Sequence, residues 1–153
     1  MPIRRVAALF SVLFGLFAFA GVSLAAQPEV YTGRFSDLAV DGYDAVAFFT
    51  DGAPVKGSAA FSVEHKGATW RFVSAENLEK FKTDPAAYAP QYGGYCAWAV
   101  ASDYTARGNP EFWAIVDGKL YLNYDRSVQE KWRADVPGFI AKANANWPGV
   151  LDN

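Results

Sequence analysis

The chain has 153 residues, of which 52% are hydrophobic and 16% aromatic, with 14 basic and 16 acidic side chains. A formal net charge of −2 without any basic run excludes the electrostatic footprint of a nucleic-acid binder and of a protein drawn to anionic membranes. One cysteine, Cys96, excludes an internal disulfide, and the length is enough for a hydrophobic core without one.

Arg4 and Arg5 precede an uncharged apolar run from Val6 to Ala20, and Ser23-Leu24-Ala25 follows with small residues at the positions a signal peptidase reads. This pattern predicts a secretory signal peptide over 1–25, cleaved after Ala25, and a periplasmic or secreted protein; the run is too short for a membrane span. The arginine pair also leaves the twin-arginine route open. Cleavage removes two basic and no acidic residues, so 12 basic against 16 acidic remain, a net charge of −4. A single domain over 26–153, with no membrane attachment, is expected.

Gln27 to Leu38 reads as an exposed lead-in segment that Tyr31 and Phe35 anchor to the core. Asp41-Gly42 and Asp51-Gly52 are turn signals around the apolar run Ala45 to Phe49, which is too short to distinguish strand from helix. Phe61 to His65 and Ala68 to Phe72 alternate apolar and polar residues about Lys66-Gly67, the pattern of a β-hairpin. Ser74 is placed to cap a helix through Lys82, and Asp84-Pro85 ends it and opens another turn.

Pro90 to Ala101 reads PQYGGYCAWAVA. The charge-free, alanine-rich part from Tyr95 predicts a buried helix with Cys96 in its first turn. Phe112 to Val116, Asp117-Gly118 and Lys119 to Tyr124 form the strongest hairpin signal in the chain. Ser127 with Glu130 suits a capping box, and Pro137 opens a last helix that presents Phe139, Ile140, Ala143 and Trp147 inward before Pro148 stops it. Two hairpins, each followed by helices, predict an α+β fold with a small antiparallel sheet built from the two hairpins, packed short helices and a single domain. No internal repeat, linker or low-complexity tract is evident.

Ala60 to Tyr88 resembles the YHS domain, in its strand, Gly67 turn, aromatic strand with Trp70 and Phe72, short helix with Phe81, then Pro85 and Tyr88. GYDAVAFF, PVKG, PQYGGYCAWAVA, DGKLYLNY and the closing NWP are similar to segments of secreted bacterial YHS-domain proteins. The resemblance implies metal binding, copper above all. Metal-binding members carry cysteines at places that match Ala47 and Val73 here, so those ligands do not carry over.

Cys96 is then the one soft ligand: as a thiolate it suits Cu(I), with His65 as its partner. The same residue type also suits a small buried hydrophobe, and His65 an exposed turn histidine. A third use, Cys96 as nucleophile with His65 as base, lacks a C-x-x-C or any other nucleophile signature, so nothing marks an enzyme. Tyr43-Asp44 offers a hard oxygen ligand or, more simply, a turn cap. Tyr92, Tyr95, Trp98, Trp113 and Tyr121 either line an aromatic pocket for a small ligand or partner, or fill the core. The sequence therefore poses two functions: copper binding or buffering through Cys96, and a non-catalytic ligand- or partner-binding module that holds no metal.

Overall fold

The computed structural model describes residues 26–153, and the predicted signal peptide lies outside the described residues. Its elements in order are α1 (Ala47–Thr50), β1 (Ser58–His65), β2 (Ala68–Phe72), α2 (Ala75–Thr83), α3 (Pro85–Tyr88), α4 (Ala97–Ala101), β3 (Asn109–Val116), β4 (Lys119–Asn123), α5 (Arg126–Arg133) and α6 (Val136–Asn146). Short 3-10 turns occupy Val40–Gly42, Gln91–Gly94 and Gly149–Asp152. The α+β expectation holds, with each hairpin forming its own two-stranded antiparallel sheet.

Local chemistry sets these elements. Lys66-Gly67 and Asp117-Gly118 both take positive φ (50° and 76°, 50° and 72°), the geometry that matches a tight turn to the strand twist. Ser74 Oγ accepts the N–H of Asn77 and caps α2, while the Asp84 side chain caps α3 with Pro85 in its first turn. The cap of α5 is Asp125, whose carboxylate accepts the Val128 N–H, and not the predicted Ser127 box; a carboxylate one residue before the first helical turn reaches that N–H directly. The predicted helix from Tyr95 starts only at Ala97, because Tyr95 and Cys96 remain extended (φ −66°, ψ 157° and φ −58°, ψ 118°).

The fold is one unit used twice, which corrects the reading that the chain has no repeat. Gly42, Tyr43, Ala45 and Ala47 recur as Gly94, Tyr95, Ala97 and Ala99; Gly57, Phe61, Gly67, Glu79-Lys80 and Asp84 recur as Gly108, Phe112, Gly118, Glu130-Lys131 and Asp135. The spacing is 52 residues at first (Gly42 to Gly94) and 51 afterwards (Gly57 to Gly108). Backbone details repeat with it. Val40, Asp41 and Gly42 take φ of 52°, 51° and 79°, and Tyr92, Gly93 and Gly94 take 58°, 61° and 85°. Tyr43 bridges Lys56 as Tyr95 bridges Arg107. The first hairpin pairs Ser58 with Phe72, slips, then pairs Ser62 with Arg71; the second pairs Asn109 with Asn123, slips, then pairs Trp113 with Leu122. A shared bulge is a conformational signature beyond what two unrelated hairpins need.

The two units form one body through β4. Leu120 and Leu122 point into a first core with Val46, Phe48, Trp70, Phe72 and Phe81, while Tyr121 between them points into a second core with Tyr92, Tyr95, Trp132, Ala143 and Leu151. Alternation along a strand thus serves both cores, and each fully buried Leu or Phe contributes roughly 1.5–3 kcal/mol. The lead-in segment stitches the outside: Gln27 N–H donates to Leu151 O at 2.7 Å and Tyr31 N–H to Gly93 O at 2.9 Å. Tyr31 packs edge-on to Tyr95, but Phe35 is 96% exposed and anchors nothing, because it sits on an exposed turn with only Arg34 over its ring.

Candidate functional site

Cys96 lies at the start of α4 and is 1% exposed. Its surroundings are polar rather than aliphatic. The Sγ lies 3.7 Å from Asn123 Oδ1, which accepts the thiol proton and also the Trp98 N–H at 3.3 Å. Burial raises the thiol pKa, while the backbone N–H groups of Ala99, Tyr124 and Trp98 pull it the other way. The thiol is therefore protonated at rest, inside a ring of donors suited to negative charge.

The first unit shows the use of that ring. Asp44, at the place equivalent to Cys96, is fully buried. Its Oδ1 accepts the N–H groups of Val46 (2.8 Å) and Ala47 (3.2 Å), and its Oδ2 accepts the Val73 N–H (2.9 Å) and Asn77 Nδ2 (2.8 Å). Asp44 is thus the predicted turn cap and, in addition, a latch tying the loop before α1 to the junction between β2 and α2. In the second unit, Trp98, Ala99 and Tyr124 stand where Val46, Ala47 and Val73 stand, and Asn123 on β4 brings an amide to the sulfur as Asn77 brings one to Asp44 from α2, but turns its Oδ1 rather than its Nδ2 toward it.

A metal at Cys96 would need further electron-pair donors. The N–H groups around the sulfur are hydrogen donors, and Asn123 offers only a carbonyl oxygen, a hard atom beside a soft ion. Among the described residues no group of three or more His, Cys, Asp or Glu side chains is disposed to hold a metal ion. These surroundings do not make up a copper-ligand set.

His65 lies elsewhere, at the end of β1. It is half-buried rather than free on its turn, with its ring edge-on to Phe81 at 5.6 Å and to Trp70 at 6.1 Å. Its carbonyl accepts the Trp70 Nε1 proton at 3.0 Å. Among the described residues no hydrogen bond joins His65 to Cys96, and Cys96 does not line the cleft that His65 borders. The pairing of the two is not made in this structure.

His65 instead borders a cleft of about 390 Å³, the size of a small-ligand site. Trp147 and the edges of the otherwise buried Trp70 and Tyr92 line it with aromatic atoms; His65, Asp84 and Gln91 provide polar groups. Lys66 Nζ and Glu29 Oε1, 2.5 Å apart, close one side by tying the hairpin tip to the lead-in segment. Among the described residues the imidazole nitrogens of His65 and the Gln91 amide have no hydrogen-bond partner, so both are available to a guest.

The cleft exists where the first unit departs from the second. Ala89-Pro90 stops α3 after one turn, whereas the equivalent α6 runs for 11 residues. The chain then turns through Gln91–Gly94, and this turn forms the cleft wall. Of the five aromatic residues considered from sequence, only Tyr92 reaches the cleft. Tyr95 and Tyr121 are core, Trp113 packs on Phe48 at 5.3 Å, and Trp98 lies under Tyr104 and Lys131. Trp147, Gln91 and Asp84 escaped notice as site residues, since nothing in the sequence brings the end of α6 to the hairpin tip. Asn123 was detectable in principle, as a polar residue ending the otherwise apolar run of β4.

Residues 46–92 match the family model of the YHS domain. The chain carries a YHS domain. The match covers most of the first unit and stops at Tyr92, where the second unit begins; Asp44 lies just before it and Cys96 just after. No curated protein and no solved structure matches the chain. Most of the cleft, including His65, Trp70, Asp84 and Gln91, lies within the YHS domain, while Trp147 is brought to it by the second unit.

Proposed function

We propose that this YHS-domain protein is an exported, non-catalytic binding module whose ligand is a small molecule held in the cleft between the hairpin tip and the loop joining the two units. The observation that carries this reading is the cleft itself: a ligand-sized space with aromatic walls and the unpartnered polar groups of His65 and Gln91. Export rests on the charged, apolar and small-residue pattern of residues 1–25. The copper reading rests on the YHS resemblance together with the softness of a thiolate, and Cu(I) titration of the protein beside Cys96→Ser measures it: equal binding by the two removes Cys96 as a ligand.

The test of the cleft is a fragment screen read by NMR, following the His65 ring protons and the indole N–H of Trp70 and Trp147. Binders should shift these signals together and lose at least about tenfold in affinity, or 1.4 kcal/mol, in Trp147→Ala. Fragments that move signals elsewhere and leave all three unmoved would sink the proposal.

A further inference from the structure

Cys96 occupies the place of a buried carboxylate. In the first unit the ring of donors receives the two oxygens of Asp44, and every donor is satisfied by them. In the second unit the corresponding N–H groups of Trp98, Ala99 and Tyr124 face a single sulfur. A cysteine sulfinate has the shape and charge of an aspartate: one atom on Cβ bearing two oxygens that share one negative charge. We propose that Cys96 is an oxidation site for a hydroperoxide, and that its sulfinate is the form this cavity accommodates best.

Asn123 points independently to such a guest. Its side chain is 0% exposed, its Oδ1 meets Sγ, and its Nδ2 has no hydrogen-bond partner. A buried amide donor without an acceptor destabilises the fold that holds it. With a sulfinate present, the Trp98 N–H takes a sulfinate oxygen, as the Val46 N–H takes Asp44 Oδ1. That frees the Asn123 amide to turn and give its Nδ2 protons to the other oxygen, as Asn77 does for Asp44.

The chemistry balances in two steps. The sulfur of Cys96 attacks the outer oxygen of the hydroperoxide; an S–O bond forms, the O–O bond breaks, and the leaving alkoxide takes the thiol proton to give sulfenic acid and an alcohol. A second hydroperoxide repeats the step on the sulfenic sulfur, and the resulting acid loses its proton to become sulfinate. Each step takes two electrons from sulfur. Cys96 is the only cysteine, so no internal thiol can divert the sulfenic acid into a disulfide. Because the resting thiol is buried and protonated, oxidation waits on local opening, and the cavity acts on the product.

Hydrogen peroxide is the probe, applied to the folded protein and to the same protein in urea, with peptide mass analysis at Cys96 and near-UV circular dichroism. Expected is the gain of two oxygens at Cys96 in the folded protein with retained tertiary signal and a melting temperature no lower than before, and a further oxygen only in urea. The inference is overturned if Cys96 gains oxygen only in urea, or if the two-oxygen form has lost its fold. Cys96→Asp gives a second reading without peroxide. It should fold and melt no lower than Cys96→Leu, whereas a carboxylate that finds no donors would unfold the second unit.

Discussion

Asp44 and Cys96 hold one position in two copies of a unit: Asp44 N–H donates to Val55 O at 2.8 Å, and Cys96 N–H to Ala106 O at 2.9 Å. The backbone is the same and the side chain differs. The carboxylate satisfies four donors, whereas the thiol engages its donors weakly through sulfur. Asp44→Ala should therefore lower stability by about 3 kcal/mol, because it strands buried donors, while Cys96→Ala should cost about 1 kcal/mol. Urea unfolding at neutral pH measures both, and equal losses would show that the Asp44 latch holds nothing extra.

Gly93 is where the lead-in segment passes closest to the turn that joins the two units. A Cβ there would lie 1.7 Å from Glu29 O, and φ is +61°. Gly67 has a similar φ, +76°, but open space around it. Gly67→Ala should thus cost only the left-handed penalty, about 1 kcal/mol, and Gly93→Ala should cost at least about 3 kcal/mol because the lead-in segment must move as well. Comparable midpoints for the two variants in denaturant would contradict the close approach.

Burial raises the pKa of Tyr92, and that of Tyr95 from 10.0 to about 12. The folded protein therefore keeps phenol protons that the unfolded chain gives up. Stability from Tyr95 is whole below pH 10 and falls as pH rises from there to about 12; Tyr92 adds a decline in the same direction. The Cys96 thiol, also raised by burial, begins its own loss nearer pH 9.0. Melting temperature against pH should drop on this alkaline limb, and Tyr95→Phe should flatten it. A flat limb in the wild-type protein would count against these assignments.

Arg107 Nη2 and Asp41 Oδ2, 2.6 Å apart, join the left-handed turn of the first unit to the hairpin approach of the second. Both side chains are partly exposed, so a double-mutant cycle with Asp41→Asn and Arg107→Gln should give a coupling of about 0.5 kcal/mol that fades in high salt. A coupling that salt leaves unchanged would mean that the pair acts by packing rather than by charge.

Both hairpins and the Ser74 cap were legible because each rests on a few adjacent residues: Lys66-Gly67, Asp117-Gly118, Ser74 with Asn77. The repeat was not. The loop from Asp51 to Gly57 is one residue longer than that from Asp103 to Gly108, which breaks any fixed period. Core positions also changed type while keeping their places, Phe72 to Asn123 and His65 to Val116. What persisted is backbone geometry, above all the left-handed turns, which Val40 and Tyr92 enter against their steric preference and so do not announce. The cleft was hidden for a different reason: its walls come from Glu29, His65, Asp84 and Trp147, far apart in sequence and brought together only by the packing of two units.

The stitches on the lead-in segment bear on the order in which the chain can assemble as it is synthesised. Val30 and Tyr31 emerge early, yet Tyr31 N–H waits for Gly93 O, and the Pro28 carbonyl for the Tyr95 hydroxyl. Gln27 N–H finds its acceptor only when Leu151 has been made. Asp37 and Ala39 can pair with Thr69 as soon as the first hairpin is made, Pro28 and Tyr31 need the start of the second unit, and Gln27 needs its end, so the lead-in segment docks in stages that run back toward Gln27.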